Sequence, residues 1–471
     1  MTSDFISPLI INGVERVGPK TGPVISPATG KQIWSHTSAS VKDVDDAVSA
    51  ATAAFPAWKA TQLKDRRNLI LKAADALEAS YDEIAEAMKQ ETASDDGWAA
   101  FNINTSLEVM RGVAQRLPSI EGRIPQCDDP NMTAMVVKEP YGVVLAIAPW
   151  NAPIILAIRA IVFPLAAGNT VVFKSSELSP RTHYLTARIF AQAGFPAGTV
   201  NLLGHVREDA ETITTAIISS PMVRKVNFTG STPIGRKIAE ISGRHLTPAT
   251  LELGGKAPMI VCEDADLEAA AIGGAFGAMH HAGQICMSTE KILVHESVAE
   301  KFTEGLKAAV QKMYGTSQYL IQSSGVDRVD GLAKDAARLG AGVFPEAQKQ
   351  QNLNEYNNTV VCNANDKMKL WQTESFGPVV MVSKWTDEEE AIKMANDTEY
   401  GLSAAVWTKD IGRGIRIARR IESGAVHING ATVHDEVALP HGGVKNSGYG
   451  RFGGTWGLEE FMTTKTITFK V

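Results

Sequence analysis

The chemistry legible in this chain starts at Cys286, within Gly283-Gln284-Ile285-Cys286-Met287-Ser288-Thr289. The small-residue run from Ala265 to Met279 reads as a helix, broken by His280, His281 and Gly283, and Ile292-Leu293-Val294 reads as a strand. A cysteine at such a helix-to-strand junction can be presented on a loop, with backbone N–H groups aimed at an incoming atom. Read alone, a half-buried structural thiol is the commoner outcome. Glu252, in Glu252-Leu253-Gly254-Gly255-Lys256, stands beside two glycines that leave room for a ligand or a moving side chain. A partly buried carboxylate there suits a general base, and a surface ion pair with Lys256 is the plainer alternative. In Pro149-Trp150-Asn151-Ala152-Pro153 two prolines pin the loop, so Asn151 offers its amide in a fixed direction. That direction serves either a developing oxyanion or the cap of the next helix.

Two further stretches suit phosphates and sugars. Phe228-Thr229-Gly230-Ser231-Thr232-Pro233-Ile234-Gly235 lies where a strand turns into a helix, with Pro233 placed for a first helical turn. Its glycines admit a phosphate to the helix N-terminus, although the spacing is not GxGxxG and an ordinary strand–helix turn also fits. Lys174-Ser175-Ser176-Glu177 closes another strand, where an acidic residue can bind ribose hydroxyls. Glu177 in that role repels a 2′-phosphate and favours NAD over NADP. A solvated Lys/Glu loop is the alternative.

The elements that must position these groups follow the hydrophobic pattern. Residues 9–34 read as short strands and turns. Two helices follow, the second carrying Ile70, Ala73, Ala74, Leu77, Tyr81, Ile84 and Met88 on one face, and a third covers about 96–117. From 142 to 242 apolar strand runs alternate with helices, which implies βαβ units and a mostly parallel sheet covered on both faces. Residues 250–445 repeat the alternation less regularly, as a second α/β unit. The tail Lys465 to Val471 alternates strictly and reads as an exposed edge strand that would pair best with another chain.

Composition bounds the rest. At 471 residues the chain implies two or three domains, and 44% hydrophobic with 21% charged residues is the balance of a soluble globular protein. A net charge of −6 without a Lys/Arg run argues against nucleic acid. The most apolar stretch, Ile154 to Ala167, is too short to span a bilayer and carries Arg159 and Pro164. The N-terminus lacks a basic secretory head. Cys127, Cys262, Cys286 and Cys362 are spaced for neither a disulfide framework nor a zinc site, so no metal and a cytoplasmic location are expected.

Taken together, the motifs IAPWNAP, FKSSE, FTGSTPIG, LELGGKAP, GQICMS, ESFGPVV and HGGVKNSGYGR, in this order, resemble the aldehyde dehydrogenase superfamily over nearly the whole chain. The resemblance implies an α/β fold with a modified Rossmann NAD-binding domain (1–121 and 141–252) and a second α/β catalytic domain (253–445). It adds a β-arm for oligomerisation (122–140 and 446–471), built from a hairpin near 122–140 and the C-terminal strand. By the same resemblance Cys286 matches the nucleophile, Glu252 the general base, and Asn151 with the Cys286 backbone N–H the oxyanion hole. Lys174 and Glu177 match the adenine-ribose contacts, and Gly230, Ser231 and Gly235 the pyrophosphate turn. Ile147, Trp150 and Leu253 match the wall along the cofactor, and Glu374 and Phe376 the residues at the nicotinamide ribose and ring. The implied reaction is NAD-dependent oxidation of an aldehyde to the acid through a thiohemiacetal and a thioester on Cys286, in a homodimer or homotetramer.

Within the superfamily, Gly97 to Asn102, Ala157 to Ile161 and Gly448 to Gly454 are similar to salicylaldehyde and related aromatic aldehyde dehydrogenases. That implies Trp98 stacking on an aromatic substrate, Arg159 bonding a ring hydroxyl or carboxylate, and Ile155 and Leu156 forming apolar wall. Core packing for Trp98 and a structural ion pair for Arg159 stay open. Three departures stand out: Phe452 where many members have Glu, His441 where Phe is usual, and a shortened segment 314–358. Rival readings are a broad aliphatic aldehyde dehydrogenase, a coenzyme A-acylating enzyme, a cofactor-free cysteine hydrolase, and a non-catalytic protein on the same fold.

Overall fold

A computed structural model describes residues 4–345 and 354–470; the part of the shortened segment at 346–353, and Val471 of the tail, lie outside the described residues. Five parallel strands form the centre of an eight-stranded sheet: Ala249–Glu252, Val223–Thr229, Val143–Ile147, Thr170–Lys174 and Val200–Leu203, in that spatial order. Every residue of Val143–Ile147 and Thr170–Lys174 is buried, which is why these strands read as continuous apolar runs rather than alternating ones. The chain order reverses between Val143–Ile147 and Val223–Thr229, so the loops leaving these two neighbours diverge and open a crevice at their carboxyl ends. Leu9–Ile11 and Val14–Arg16 add antiparallel strands at one edge.

The second sheet has seven strands, parallel except for Gly342–Phe344 at its edge, with Thr289–His295 and Ala257–Val261 at its centre. Among the described residues no helix is long and apolar enough to cross a membrane. The fold is thus the α/β arrangement expected, with three local differences. The long apolar face through Ile70 and Met88 is divided at Ser80 into the helices Leu63–Ala79 and Tyr81–Thr92. Within 122–140 a single antiparallel bridge joins Arg123 to Val136, and the strand Met132–Pro140 pairs along its length, antiparallel, with Met462–Lys470 of the same chain. The tail therefore finds its partner within its own chain. Gly448–Tyr449, expected in the arm, instead pairs with Ala249–Glu252 and extends the first sheet.

Candidate active site

Cys286 owes its position to an unusual turn. The helix Leu267–Met279, capped by the Asp266 carboxylate accepting from the Ala269 N–H at 3.1 Å, stops, and His281, Ala282 and Gly283 follow with φ of 49°, 56° and 67°. Two non-glycine residues in succession in the left-handed region cost of order 1–3 kcal/mol each and persist only where the surroundings fix them. At Gly283 a Cβ would run into the Gly377 carbonyl. The Ser288 hydroxyl donates to the Gly283 carbonyl (3.1 Å) and accepts from the Ile285 N–H (3.3 Å), closing the loop on itself. The Cys286 thiol then meets Glu252 Oε1 at 3.2 Å. Burial pushes that thiol up to about 12; Arg159 pulls the other way, and the Glu374 and Asp435 charges add to the rise.

Glu252 ends its strand with 1% of its surface exposed, and its two oxygens face different neighbours. Oε2 takes the Arg159 guanidinium and, at 3.4 Å, the Thr229 hydroxyl. Oε1 takes the thiol and lies 3.4 Å from His441 Nε2. Asn151 donates one amide hydrogen to the Gln284 carbonyl at 2.9 Å, which leaves its second hydrogen free. Lys256 does not reach Glu252; it pairs with Glu290, fully buried, and Glu290 also accepts from the backbone N–H groups of Ser375 (2.8 Å) and Phe376 (3.1 Å).

A cavity of about 1010 Å³ collects most of the expected residues. Cys286, Glu252 and Asn151 line it together with Trp150, Leu253, Leu156, Gly230, Ser231, Glu374 and Phe376. The Gly230–Ser231 turn opens the helix Thr232–Arg244, whose free N–H groups and positive end suit an anionic diphosphate. The Glu374 carboxylate sits against Gly254, where a Cβ would approach it to 2.5 Å, and accepts from the Gly255 N–H at 3.0 Å. The Phe376 ring stands edge-on to Trp150, centroids 5.9 Å apart. Glycines at the approach, a helix N-terminus and a carboxylate near its far wall fit a dinucleotide.

Other expected residues fall elsewhere. Gly235 is absent from the cavity wall but lets Leu253, which lines it, lie against the helix, since a Cβ there would strike the Leu253 side chain. Ile147 is buried at its strand end. Lys174 points inward, its Nζ 2.6 Å from His205 Nε2, and burial lowers it to about 8. Glu177 lines a second cavity of about 550 Å³ that shares Ile321, Gln322 and Ser324 with the first.

The expected substrate contacts are corrected most. Trp98 is 3% exposed, lies flat against His281 and donates its indole N–H to the Asn151 carbonyl at 3.0 Å, so it supports Asn151 from behind. Arg159 is buried in the helix Pro153–Ala166, bound to Glu252, 3.8 Å from Asp435 and 4.4 Å above the Phe452 ring. Its fork is taken up by carboxylates. Ile155 packs in the core, and Leu156 alone of the proposed apolar wall reaches the cavity. Sequence reasoning missed Glu290 as a contributor; its signal was a charged residue inside the buried strand run Thr289–His295.

The aldehyde dehydrogenase family profile matches residues 14–467. A vanillin dehydrogenase of Pseudomonas fluorescens is 44% identical over 453 residues, covering 94% of this chain and 93% of that protein. The crystal structure of a salicylaldehyde dehydrogenase from Pseudomonas putida G7, complexed with salicylaldehyde, superposes with a TM-score of 0.95 at 37% identity, covering 100% of this chain and 99% of that one. An NADP-dependent glyceraldehyde-3-phosphate dehydrogenase from Bacillus halodurans C-125, complexed with NADP, gives a TM-score of 0.94 at 30% identity, covering 99% of each chain. The chain belongs to the aldehyde dehydrogenase family.

Proposed function

We propose that this enzyme oxidises an aromatic aldehyde to the carboxylic acid with NAD, through a thiohemiacetal and then a thioester on Cys286. The contact between the Cys286 thiol and Glu252 Oε1, 3.2 Å apart on the wall of one large cavity, carries the reading. A thiol held near 12 is un-ionised at neutral pH, so attack on the aldehyde carbon needs a base at its side, and Glu252 takes that proton. The free Asn151 amide hydrogen and the Cys286 backbone N–H stabilise the alkoxide. Gly230, Ser231, Glu374 and Phe376, with Trp150 and Leu253 along the side, would hold a nicotinamide cofactor, which would supply the hydride acceptor. Glu252 then draws a proton from the water that adds to the thioester. A carboxylate so placed favours water over coenzyme A as the acyl acceptor.

The aromatic preference rests on the relatives named for vanillin and salicylaldehyde, because neither Trp98 nor Arg159 lines the main cavity. The preference for NAD rests on Glu177, whose charge opposes a 2′-phosphate. Four free cysteines favour the cytoplasm, and the paired strands Met132–Pro140 and Met462–Lys470, with Ile467 and Phe469 exposed, suit an arm that joins subunits. NADH formation should be measured with NAD and salicylaldehyde, benzaldehyde, vanillin and two aliphatic aldehydes. Turnover of the aromatic set, lost in Cys286→Ala, is expected. Aliphatic preference would overturn the aromatic assignment, and turnover only with added coenzyme A would overturn hydrolysis.

A further inference from the structure

We infer that His441 is a proton relay, carrying the proton that Glu252 takes from Cys286 outward to Asp435 and the surface. The inference rests on the Cys286–Glu252 reading above and extends it to a problem that reading creates. As the S–C bond forms, the thiol proton passes to Glu252. That carboxylate must release it before it can take a second proton, from the water that adds to the thioester. The second returns to the Cys286 sulfur as the C–S bond breaks, so one proton has to leave Glu252 between the two half-reactions.

Glu252 is 1% exposed, and in the proposed reaction the cavity beside it would be filled by cofactor and acyl group. The side chains that touch it are few. Arg159 has no lone pair to accept with, and it occupies Oε2. The Thr229 hydroxyl reaches the same oxygen from 3.4 Å. Oε1, the atom that faces the thiol, is also the atom 3.4 Å from His441 Nε2. The other ring nitrogen, Nδ1, is 3.8 Å from Asp435 Oδ1, whose side chain is 25% exposed. Arg159, Asp435 and His441 border a small cavity of about 10 Å³, room for about one water.

The charges around the ring are Glu252, Asp435, Arg159 and Arg451, with His427 near Asp435 as well. Burial and the two arginines lower His441 to about 4 against the pull of Asp435, so the ring is neutral at pH 7, and with its hydrogen on Nδ1, toward Asp435, it accepts at Nε2. The His441 backbone is held by paired hydrogen bonds to Phe452, N–H to O and O to N–H, both 2.8 Å, which do not involve the ring.

The test compares His441→Phe, His441→Ala, Asp435→Asn and Glu252→Gln with the parent, using benzaldehyde and NAD. His441→Phe should keep the first-turnover burst of NADH, accumulate benzoyl-Cys286 visible by intact mass, and lose about 10²-fold in steady-state rate, the low end for a lost proton-transfer partner. Added imidazole should restore part of the rate in His441→Ala and none in His441→Phe. Asp435→Asn should slow the same step less. An unchanged steady-state rate in His441→Phe, or a slow variant with no burst, no acyl-enzyme and no imidazole rescue, would overturn the relay. Glu252→Gln separates the two levels: if it leaves the steady-state rate intact, the base reading itself fails. If it traps the acyl-enzyme and His441→Phe does not, the relay alone fails.

Discussion

Lys256 and Glu290 offer the sharpest test of how the site is held together. Their side chains are 0% and 4% exposed and pair directly. Glu290 also anchors the Ser375 and Phe376 backbone N–H groups, while the neighbouring Gly255 N–H binds Glu374. Two carboxylates thus staple the loop at 253–256 to the loop at 374–376, and both loops line the cavity. Removing one member of a buried ion pair leaves the other charge without compensation, which costs about 3–5 kcal/mol. Lys256→Met and Glu290→Gln should each destabilise by that amount and raise the KM for the nicotinamide cofactor by loosening Glu374 and Phe376. The double variant removes both charges, and the Gln carbonyl still accepts from the Ser375 and Phe376 amides. It should therefore recover most of the loss, because exchanging a whole buried pair is often close to neutral.

Urea unfolding followed by tryptophan fluorescence and far-UV circular dichroism, compared where the two probes coincide, gives the four free energies of the cycle. Coupling well beyond the ~0.5 kcal/mol within which independent sites add is the expected result. A double variant whose loss equals the sum of the singles would refute the staple. So would singles that each cost under about 1 kcal/mol.

Two pH-dependent results follow from the same region. Burial, and next the Glu290 charge, raise the Glu374 carboxyl from its usual 4.5 to about 7. The folded protein therefore holds this proton more tightly than the unfolded chain, and stability from this group is lost as pH rises from about 4.5 to 7. Glu374→Gln should gain stability relative to the parent across that window, by about 3 kcal/mol in all, and a difference that is flat with pH would refute it. The Cys286 thiol near 12 loses about 3.5 units of ionisation against a free thiol at ~8.5 and regains about 1.5 in thiolate nucleophilicity. Iodoacetamide should therefore label Cys286 of the resting enzyme about 10²-fold more slowly than free cysteine at pH 7.5, with a rate still climbing past pH 10. A plateau below pH 9, read on the Cys286 peptide by mass, would refute the buried neutral thiol.

The strands and helices from 142 to 242 were legible because buried parallel strands are apolar throughout and their helices are bounded by prolines, as at Pro153, Pro180 and Pro233. Ser80 was not, since neither glycine nor proline marks the break and the Ser80 N–H still reaches the Ala76 carbonyl at 3.1 Å. The pairing of Met132–Pro140 with the C-terminal strand joins segments far apart in sequence, which local pattern does not report. In the site, the motifs of Cys286, Glu252 and Asn151 pointed to three residues that line one cavity, whereas Trp98 and Arg159 lie off it for a physical reason. An indole on a helix next to the site looks the same in sequence whether its face or its N–H is used, and here the N–H is used, on Asn151. Arg159 within the apolar run from Ile154 announced a buried partner, but spacing could not say that the partner was Glu252.

The placement of Glu252 also explains why its carboxylate and the Cys286 thiol can be aligned so closely. The first sheet presents the carboxyl ends of its strands to the cavity, through Pro149–Asn151, Gly230–Ser231 and Glu252 itself. The second sheet presents amino ends: Cys286 precedes Thr289–His295, Glu374 and Phe376 precede Val379–Trp385, and Gly254 precedes Ala257–Val261. The chain crosses from the last strand of the first set to a central strand of the second within Leu253 to Lys256, so Glu252 stands at the seam. At that seam Gly255 lies against the Cys286 carbonyl so closely that any Cβ would collide with it. The link between the sheets therefore passes directly under the Cys286 loop, and the close packing of Gly255, three residues after Glu252, against the Cys286 carbonyl sets the separation of Cys286 and Glu252. Mutual alignment of thiol and carboxylate is then a local property of this crossing, and the Lys256–Glu290 pair ties the crossing to the central strand of the second sheet.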